Sequence, residues 1–331
     1  MIMKHARLLA SIAMVGFILA ACGAPPVTTV APNTPAKIKL LLTFQPNVQF
    51  APFYVAIEKG FFQQRDIEVE IVHLAESDVT KLVASNEAQF GVVSGEQVLL
   101  ARQEGLPVVY FFTWFQQYPV AVAVKADRGI EQAKQLRGLR IGIPLKQGAS
   151  HIGLVTILRA GELTESDIYL QEIGFTQVPA LMEDKVDGVV VYTNNEPLQL
   201  AAQGVNVNLI AVTDYTSLVS NGLITNEKTV SENPDLVKRV AAAFNDGLQF
   251  TIDNPDEAFE IATIYVEGLS DPDIAVAQKN VLLASIELWR VDRLGENDPD
   301  AWDTMQEVML EMRLLDTGQD AGAAFTDSFL P

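Results

Sequence analysis

Short apolar runs alternate with amphipathic stretches from Lys37 to Asn226, and this alternation constrains the fold more than any other feature. The runs are KIKLLLTF (37–44), IEVEIVHL (67–74), FGVVS (90–94), PVVYFFTW (107–114), VAVAVK (120–125), LRIGIP (139–144), IYLQEIG (168–174), GVVVY (188–192), NLIAVTD (208–214) and GLITN (222–226). Each is rich in Val, Ile or aromatic residues and bounded by Gly, Pro or Asp, which predicts strands. Between them Pro52 suits the first turn of a helix over APFYVAIEKGFF, and Ser150 is expected to cap HIGLVTILRAG, which stops at Gly161. Near-continuous apolar strands separated by helices imply α/β layers with buried, largely parallel sheets. From Asn233 the pattern turns wholly helical, in segments that open Asn/Asp-Pro-Asp at 233, 254, 271 and 298. Each opening reads as a cap followed by Pro in the first turn, and their unequal spacing speaks for reuse of one good helix start rather than a solenoid.

Two α/β segments followed by a helical tail fit two lobes joined by crossing strands. Residues 37–119 and 226–331 are expected to build lobe one and 126–220 lobe two. The extended runs 120–125 and 221–225 are then the crossovers. The cleft between such lobes is the default seat of a small ligand.

The N-terminus reads as an export signal. Lys4 and Arg7 precede an apolar stretch from Leu8 to Leu19, then the small residues Ala20 and Ala21. The stretch is shorter than the roughly 20 apolar residues of a spanning helix. Leu19-Ala20-Ala21-Cys22 matches the bacterial lipobox, so residues 1–21 are expected to be a lipoprotein signal peptide and Cys22 the lipidated mature N-terminus. Residues 22–36, small, polar and Pro-rich, suit a tether. The expected product is a membrane-anchored, outward-facing domain held by its N-terminal lipid alone. A formal net charge of -19 argues against nucleic acid or an anionic lipid surface as partner. With Cys22 the single cysteine, no intramolecular disulfide forms. Beyond the signal no apolar run is long enough to span a bilayer, which excludes a permease.

Catalytic patterns are wanting. The histidines stand apart at 5, 73 and 151, without metal-ligand spacing. GVVSG (91–95) has the wrong spacing for a nucleophile elbow, and neither a P-loop nor a dinucleotide fingerprint is present. Carboxylates such as Glu183 and Asp184 suit a solvated face. No cofactor is implied and an enzyme is not expected, although a site assembled from distant residues stays open.

Binding signals concentrate where strands end. Residues 43–62, TFQPNVQFAPFYVAIEKGFF, run from a strand through a Pro46-Asn47 turn into a helix, with Phe44, Phe50, Phe53 and Tyr54 clustered at the junction. Each aromatic alone suits core, and together they suit a stacking surface. KQGASHIG (146–153) brings backbone donors and the Ser150 hydroxyl into a first helical turn, suited either to capping or to a carbonyl or anionic ligand group. TNNEP (193–197) sets Asn194, Asn195 and Glu196, donors and acceptors together, at the end of a buried strand. Candidate ligand contacts are Phe44, Asn47, Phe50, Phe53, Ser94, Trp114, Gln117, Tyr118, Ser150, Tyr192, Asn194, Asn195 and Glu196.

These segments, in order, resemble the NMT1/THI5-like substrate-binding proteins of ABC importers, the taurine/nitrate and thiamin-pyrimidine group. The resemblance rests on Pro46-Asn47, Phe53-Tyr54-Val55-Ala56 and Glu58-Lys59-Gly60-Phe61-Phe62. It continues through Phe90-Gly91-Val92, Gly105-Leu106-Pro107-Val108-Val109, Leu139-Arg140-Ile141-Gly142-Ile143-Pro144 and Val186-Asp187-Gly188-Val189-Val190-Val191. It implies an α/β, type-II periplasmic-binding-protein fold, capture by lobe closure as a monomer, and delivery to a permease and ATPase. Pyrimidine binders of the family have a similar Asn/Glu segment, so Asn195 and Glu196 carry over as contacts. Many of them have His where Phe50 and Tyr118 stand here, and the exchange enlarges the stacking area. The aromatic and amide composition favours a flat neutral heterocycle. Riboflavin, as in the family's RibY-type branch, is the first expectation; thiamin pyrimidine precursors such as formylaminopyrimidine are the second, and other aromatics the third. The family's eukaryotic pyrimidine synthases, which sacrifice an active-site His, supply the enzyme alternative, and a sensor lobe supplies another.

Overall fold

Lys37 and Lys39 alternate with Ile38 and Leu40 along β1 (Ala36–Thr43), so the lysines face solvent while Ile38 and Leu40–Leu42 are buried. The unbroken apolar second half lies where both faces of the sheet are covered. β1 pairs in parallel with β2 (Ile67–Leu74) on one side and β3 (Phe90–Ser94) on the other. The first sheet is completed by β4 (Val108–Thr113) and β10 (Asn221–Asn226), in the order β2-β1-β3-β10-β4. The second holds β5 (Val120–Lys125), β6 (Arg140–Ile143), β7 (Tyr169–Glu172), β8 (Gly188–Tyr192) and β9 (Val207–Ala211), in the order β7-β6-β8-β5-β9. The two lobes thus repeat one plan. The computed structural model describes residues 34–331; the expected signal, Cys22 and the tether to residue 33 lie outside them.

Two expectations require correction. The sheets are mixed rather than largely parallel, because β10 runs antiparallel to β3 and β4, and β5 antiparallel to β8 and β9. A strand arriving from the other lobe enters at the end of the sheet where its neighbours finish, and so runs against them. The runs 120–125 and 221–225 are also not spans between lobes. Each lies wholly inside one sheet, where an all-buried strand finds backbone partners along both edges. The chain passes between the sheets just before them, at 114–119 and 215–220.

Helices cover both faces. In lobe one these are α1 (Ala51–Glu58), α2 (Glu76–Ala84) and α3 (Gly95–Gln103); in lobe two, α4 (Gly148–Ala160), α5 (Gln177–Met182) and α6 (Glu196–Ala202). The C-terminal helices are α7 (Glu227–Glu232), α8 (Pro234–Asp253), α9 (Pro255–Ala262), α10 (Pro272–Trp289) and α11 (Pro299–Glu311). Of their Asn/Asp starts, Asp298 caps through its side chain, accepting from Asp300 N–H, whereas Asn233 and Asn254 make no such bond. α8 packs tightly on α1 because Gly247 lacks a side chain: a Cβ there would meet the Pro52 carbonyl at 2.4 Å. Phe244, one turn earlier, stacks on Phe53 at 4.3 Å. Beyond α11 the chain pairs with β4, Tyr110 N–H donating to the Ala324 carbonyl at 2.9 Å, which protects that sheet edge. Among the described residues no helix is long and apolar enough to cross a membrane.

Candidate functional site

Strand ends of both sheets meet at the gap between the lobes, followed by helix starts, the arrangement that makes ligand crevices in α/β proteins. A cavity of about 320 Å³ lies there, within the usual range for small-molecule sites, roughly 300–1,000 Å³.

Lobe one contributes an aromatic wall. Phe50, in the short turn leading into α1, sits 5.7 Å from Trp114, and Trp114 sits 4.8 Å from Phe115. His73, near the end of β2, meets Phe50 edge-on at 5.1 Å. Burial holds its imidazole below the ordinary value, opposed in part by the carbonyls of Thr43 and Phe44, so the ring is neutral at neutral pH. Phe44 leaves β1 in the left-handed region at φ 65, which turns the chain out of the sheet. Its ring closes the mouth against Phe175 of lobe two, at 4.7 Å and 87°.

Lobe two contributes a polar edge. The Glu196 carboxyl accepts from the Tyr192 backbone N–H at 2.9 Å, from Asn195 Nδ2 at 3.1 Å and from Gln177 Nε2 at 3.5 Å. Burial pushes its pKa up to about 7, with the Tyr192 N–H opposing. Tyr192 Oη donates to Asn221 Oδ1 of lobe one across the floor. Glu76, at the start of α2, also lines the cavity and bonds to both Ser94 and Ala149. Neither Lys nor Arg lines the cavity.

Of the residues expected from sequence, Phe44, Phe50, Trp114, Ser150, Tyr192, Asn195 and Glu196 line this cavity. Six do not. Asn47 turns inward to accept from Gln49 N–H at 3.0 Å, holding the approach turn. Phe53, three residues beyond Phe50, faces α8 instead of the cleft. Ser94 lies behind the wall between two carboxyls. Gln117 is exposed on the first lobe connection. Tyr118 is buried, its hydroxyl donating to the Ala149 carbonyl at 3.0 Å. Asn194 donates to Ser285 Oγ of α10 at 2.7 Å, tying the lobes outside the cavity. Ser150 is not the cap of α4: the helix begins at Gly148, because the left-handed Gly148 turns the chain two residues earlier. Sequence reasoning missed Gln49, His73, Glu76, Phe175, Gln177 and Asn221, which also line the site. Glu76 carried a usable signal, since it follows the end of β2 as the recognised segments follow theirs, and His73 is the next-to-last residue of that strand.

The NMT1/THI5 like family model matches residues 47–258. The chain is 37% identical to the riboflavin-binding protein RibY of Chloroflexus aurantiacus, over 99% of both chains. It is 26% identical to the formylaminopyrimidine-binding protein of Halalkalibacterium halodurans, over 80% of this chain and 82% of that one. Other relatives are named 4-amino-5-hydroxymethyl-2-methylpyrimidine phosphate synthases. The periplasmic aliphatic sulphonate binding protein SsuA of Escherichia coli superposes with a TM-score of 0.71, covering 88% of this chain and 92% of that one at 14% identity. That likeness shows the two-lobed periplasmic-binding-protein fold. With the family model spanning more than half its length and the RibY match spanning nearly all of it, the chain belongs to the NMT1/THI5-like family.

Proposed function

We propose that this protein is the solute-binding component of an ABC importer and that its ligand is riboflavin. It is exported, anchored through lipid on Cys22, and passes its ligand to a separate permease and ATPase. The observation that carries the ligand reading is the pairing of two walls. Phe50, Trp114 and Phe115 offer stacking surface on lobe one. On lobe two, the Asn195 and Gln177 amide donors flank the Glu196 acceptor. An imide edge presents acceptor, donor and acceptor in a row, the complement of that set. Isoalloxazine combines such an edge with three fused rings, and the similarity to RibY supports the same ligand.

A thermal-shift panel tests this reading. Riboflavin at 100 times its Kd should stabilise the fold by about 2.7 kcal/mol, with formylaminopyrimidine giving a smaller shift at equal concentration. The reverse order would assign the site to thiamin precursors.

One observation favours a second reading, catalysis of the pyrimidine-synthase kind: His73 lies in the cavity wall with its Nδ1 buried and unbonded. Mass spectrometry after incubation with riboflavin or thiamin pyrimidines should return both ligand and protein unchanged. Loss of mass at the peptide containing His73, or a new small molecule, would establish turnover instead.

A further inference from the structure

At the cavity floor Glu76, the first residue of α2, reaches from lobe one to the start of α4 in lobe two. Its Oε2 accepts the Ala149 backbone N–H at 3.2 Å, and its Oε1 accepts the backbone N–H and the hydroxyl of Ser94 at 2.8 and 2.7 Å. Gly148 makes the approach possible, since a Cβ there would lie 2.1 Å from Glu76 Oε2. Ser94 Oγ also contacts Glu96 Oε1. A single hydroxyl proton cannot serve two carboxylates, so one of the acids supplies its own. The donors decide which. Donors satisfy both oxygens of Glu76, whereas Glu96 has Ser94, its own backbone N–H and a 3.5 Å contact from Gln97, and its Oε2 is buried without a partner. The proton therefore sits on Glu96, which donates to Ser94 Oγ; Ser94 donates to Glu76, and the negative charge rests on Glu76. That charge meets the N-terminus of the 13-residue α4 at Ala149, where backbone donors and the helix dipole favour an anion.

We infer that Glu76 is a specificity-determining residue of the cavity: its own carboxylate fills the anion position at the start of α4, so that uncharged ligands enter and phosphate, sulfonate or carboxylate groups are turned away. This rests on the reading of the cavity as the ligand site. Donors in 146–153 that the sequence offered to an anionic ligand group are thus engaged by the protein itself at Ala149. Rejection is reinforced by the lack of any lining Lys or Arg and by the second carboxyl at Glu196. Discrimination built from an unfavourable contact is a common route to specificity.

The test uses the full-length protein and its Glu76→Ala and Glu76→Gln variants, the second preserving side-chain shape if the first fails to fold. Inorganic phosphate, riboflavin and riboflavin 5′-phosphate are titrated by calorimetry. Wild type should show no phosphate binding at millimolar concentration and should favour riboflavin over its phosphate. The variants should gain phosphate affinity by about tenfold or more, and the preference for riboflavin should narrow by a similar factor. Equal phosphate affinity in wild type and both variants would overturn the inference. The phosphate arm reads Glu76 even if no flavin binds, in which case the vitamin assignment alone fails.

Discussion

Tyr192 Oη donates to Asn221 Oδ1 at 3.0 Å across the cavity floor, joining the end of β8 in lobe two to the start of β10 in lobe one. Asn221 is buried, so removing the donor leaves a buried carbonyl oxygen without that partner. Tyr192→Phe should cost about 1–3 kcal/mol. Because the bond spans the lobes, the loss should appear chiefly as weaker ligand binding with a faster off-rate, measured by stopped flow, and only slightly in the unfolding midpoint of the free protein.

Stacking and edge contacts should fail in different ways. Phe50→Leu preserves bulk and removes the ring face, so it should weaken riboflavin and lumichrome alike, by about 1–3 kcal/mol on the scale of base–aromatic stacking. Asn195→Ala and Glu196→Ala should weaken riboflavin by about 1–3 kcal/mol through an unsatisfied buried group and erase discrimination against flavins alkylated at the imide nitrogen. Equal titration curves for alkylated and unmodified flavin in wild type would remove the edge from the binding mode.

Stability should fall with rising pH through the neutral range. Burial raises Glu196 from 4.5 to about 7, and burial together with the Glu76 charge raises Glu96 to about 8. The folded state then holds protons that the unfolded chain releases, so this contribution is complete below about pH 4.5 and is lost as pH climbs through 7 and 8. Thermal midpoints measured between pH 5 and 8.5 should decline in wild type and decline less in Glu96→Gln and Glu196→Gln. Parallel curves for all three would place the protons elsewhere.

Lipidation is tested separately. Cys22→Ser should abolish metabolic lipid labelling and release the protein from membranes, while wild type should fractionate with them. Wild-type protein recovered in the soluble fraction with a different N-terminus would refute the anchor.

The strand pattern was legible because runs such as GVVVY (188–192) are uninterrupted, β-branched and sharply bounded, which local sequence alone determines. Strand direction was not: whether β5 and β10 run with or against their neighbours depends on where the chain crosses between lobes, a property of the whole path. In the site, Asn195 and Glu196 were readable because a buried strand ends immediately before them. Phe53 and Tyr118 were misplaced because composition gives an aromatic cluster but not its facing, and Phe53 meets Phe244 on α8, nearly 200 residues further along the chain. Glu76 went unnoticed, and His73 was set aside, because motif searching looks for partners close in sequence. Those of Glu76 are Ser94 and Ala149, brought to it by two different lobes.

Flavin fluorescence reads occupancy of the cavity itself. Riboflavin titrated with the protein should be quenched to completion at one ligand per chain with sub-micromolar affinity, because the proposed binding mode stacks its ring on Phe50 and Trp114; the quenching should be lost in a Phe50→Leu, Glu196→Ala double variant that still melts cooperatively. Unquenched riboflavin at micromolar protein, together with tight binding of formylaminopyrimidine in the same cell, would contradict the assignment of this cavity to a flavin.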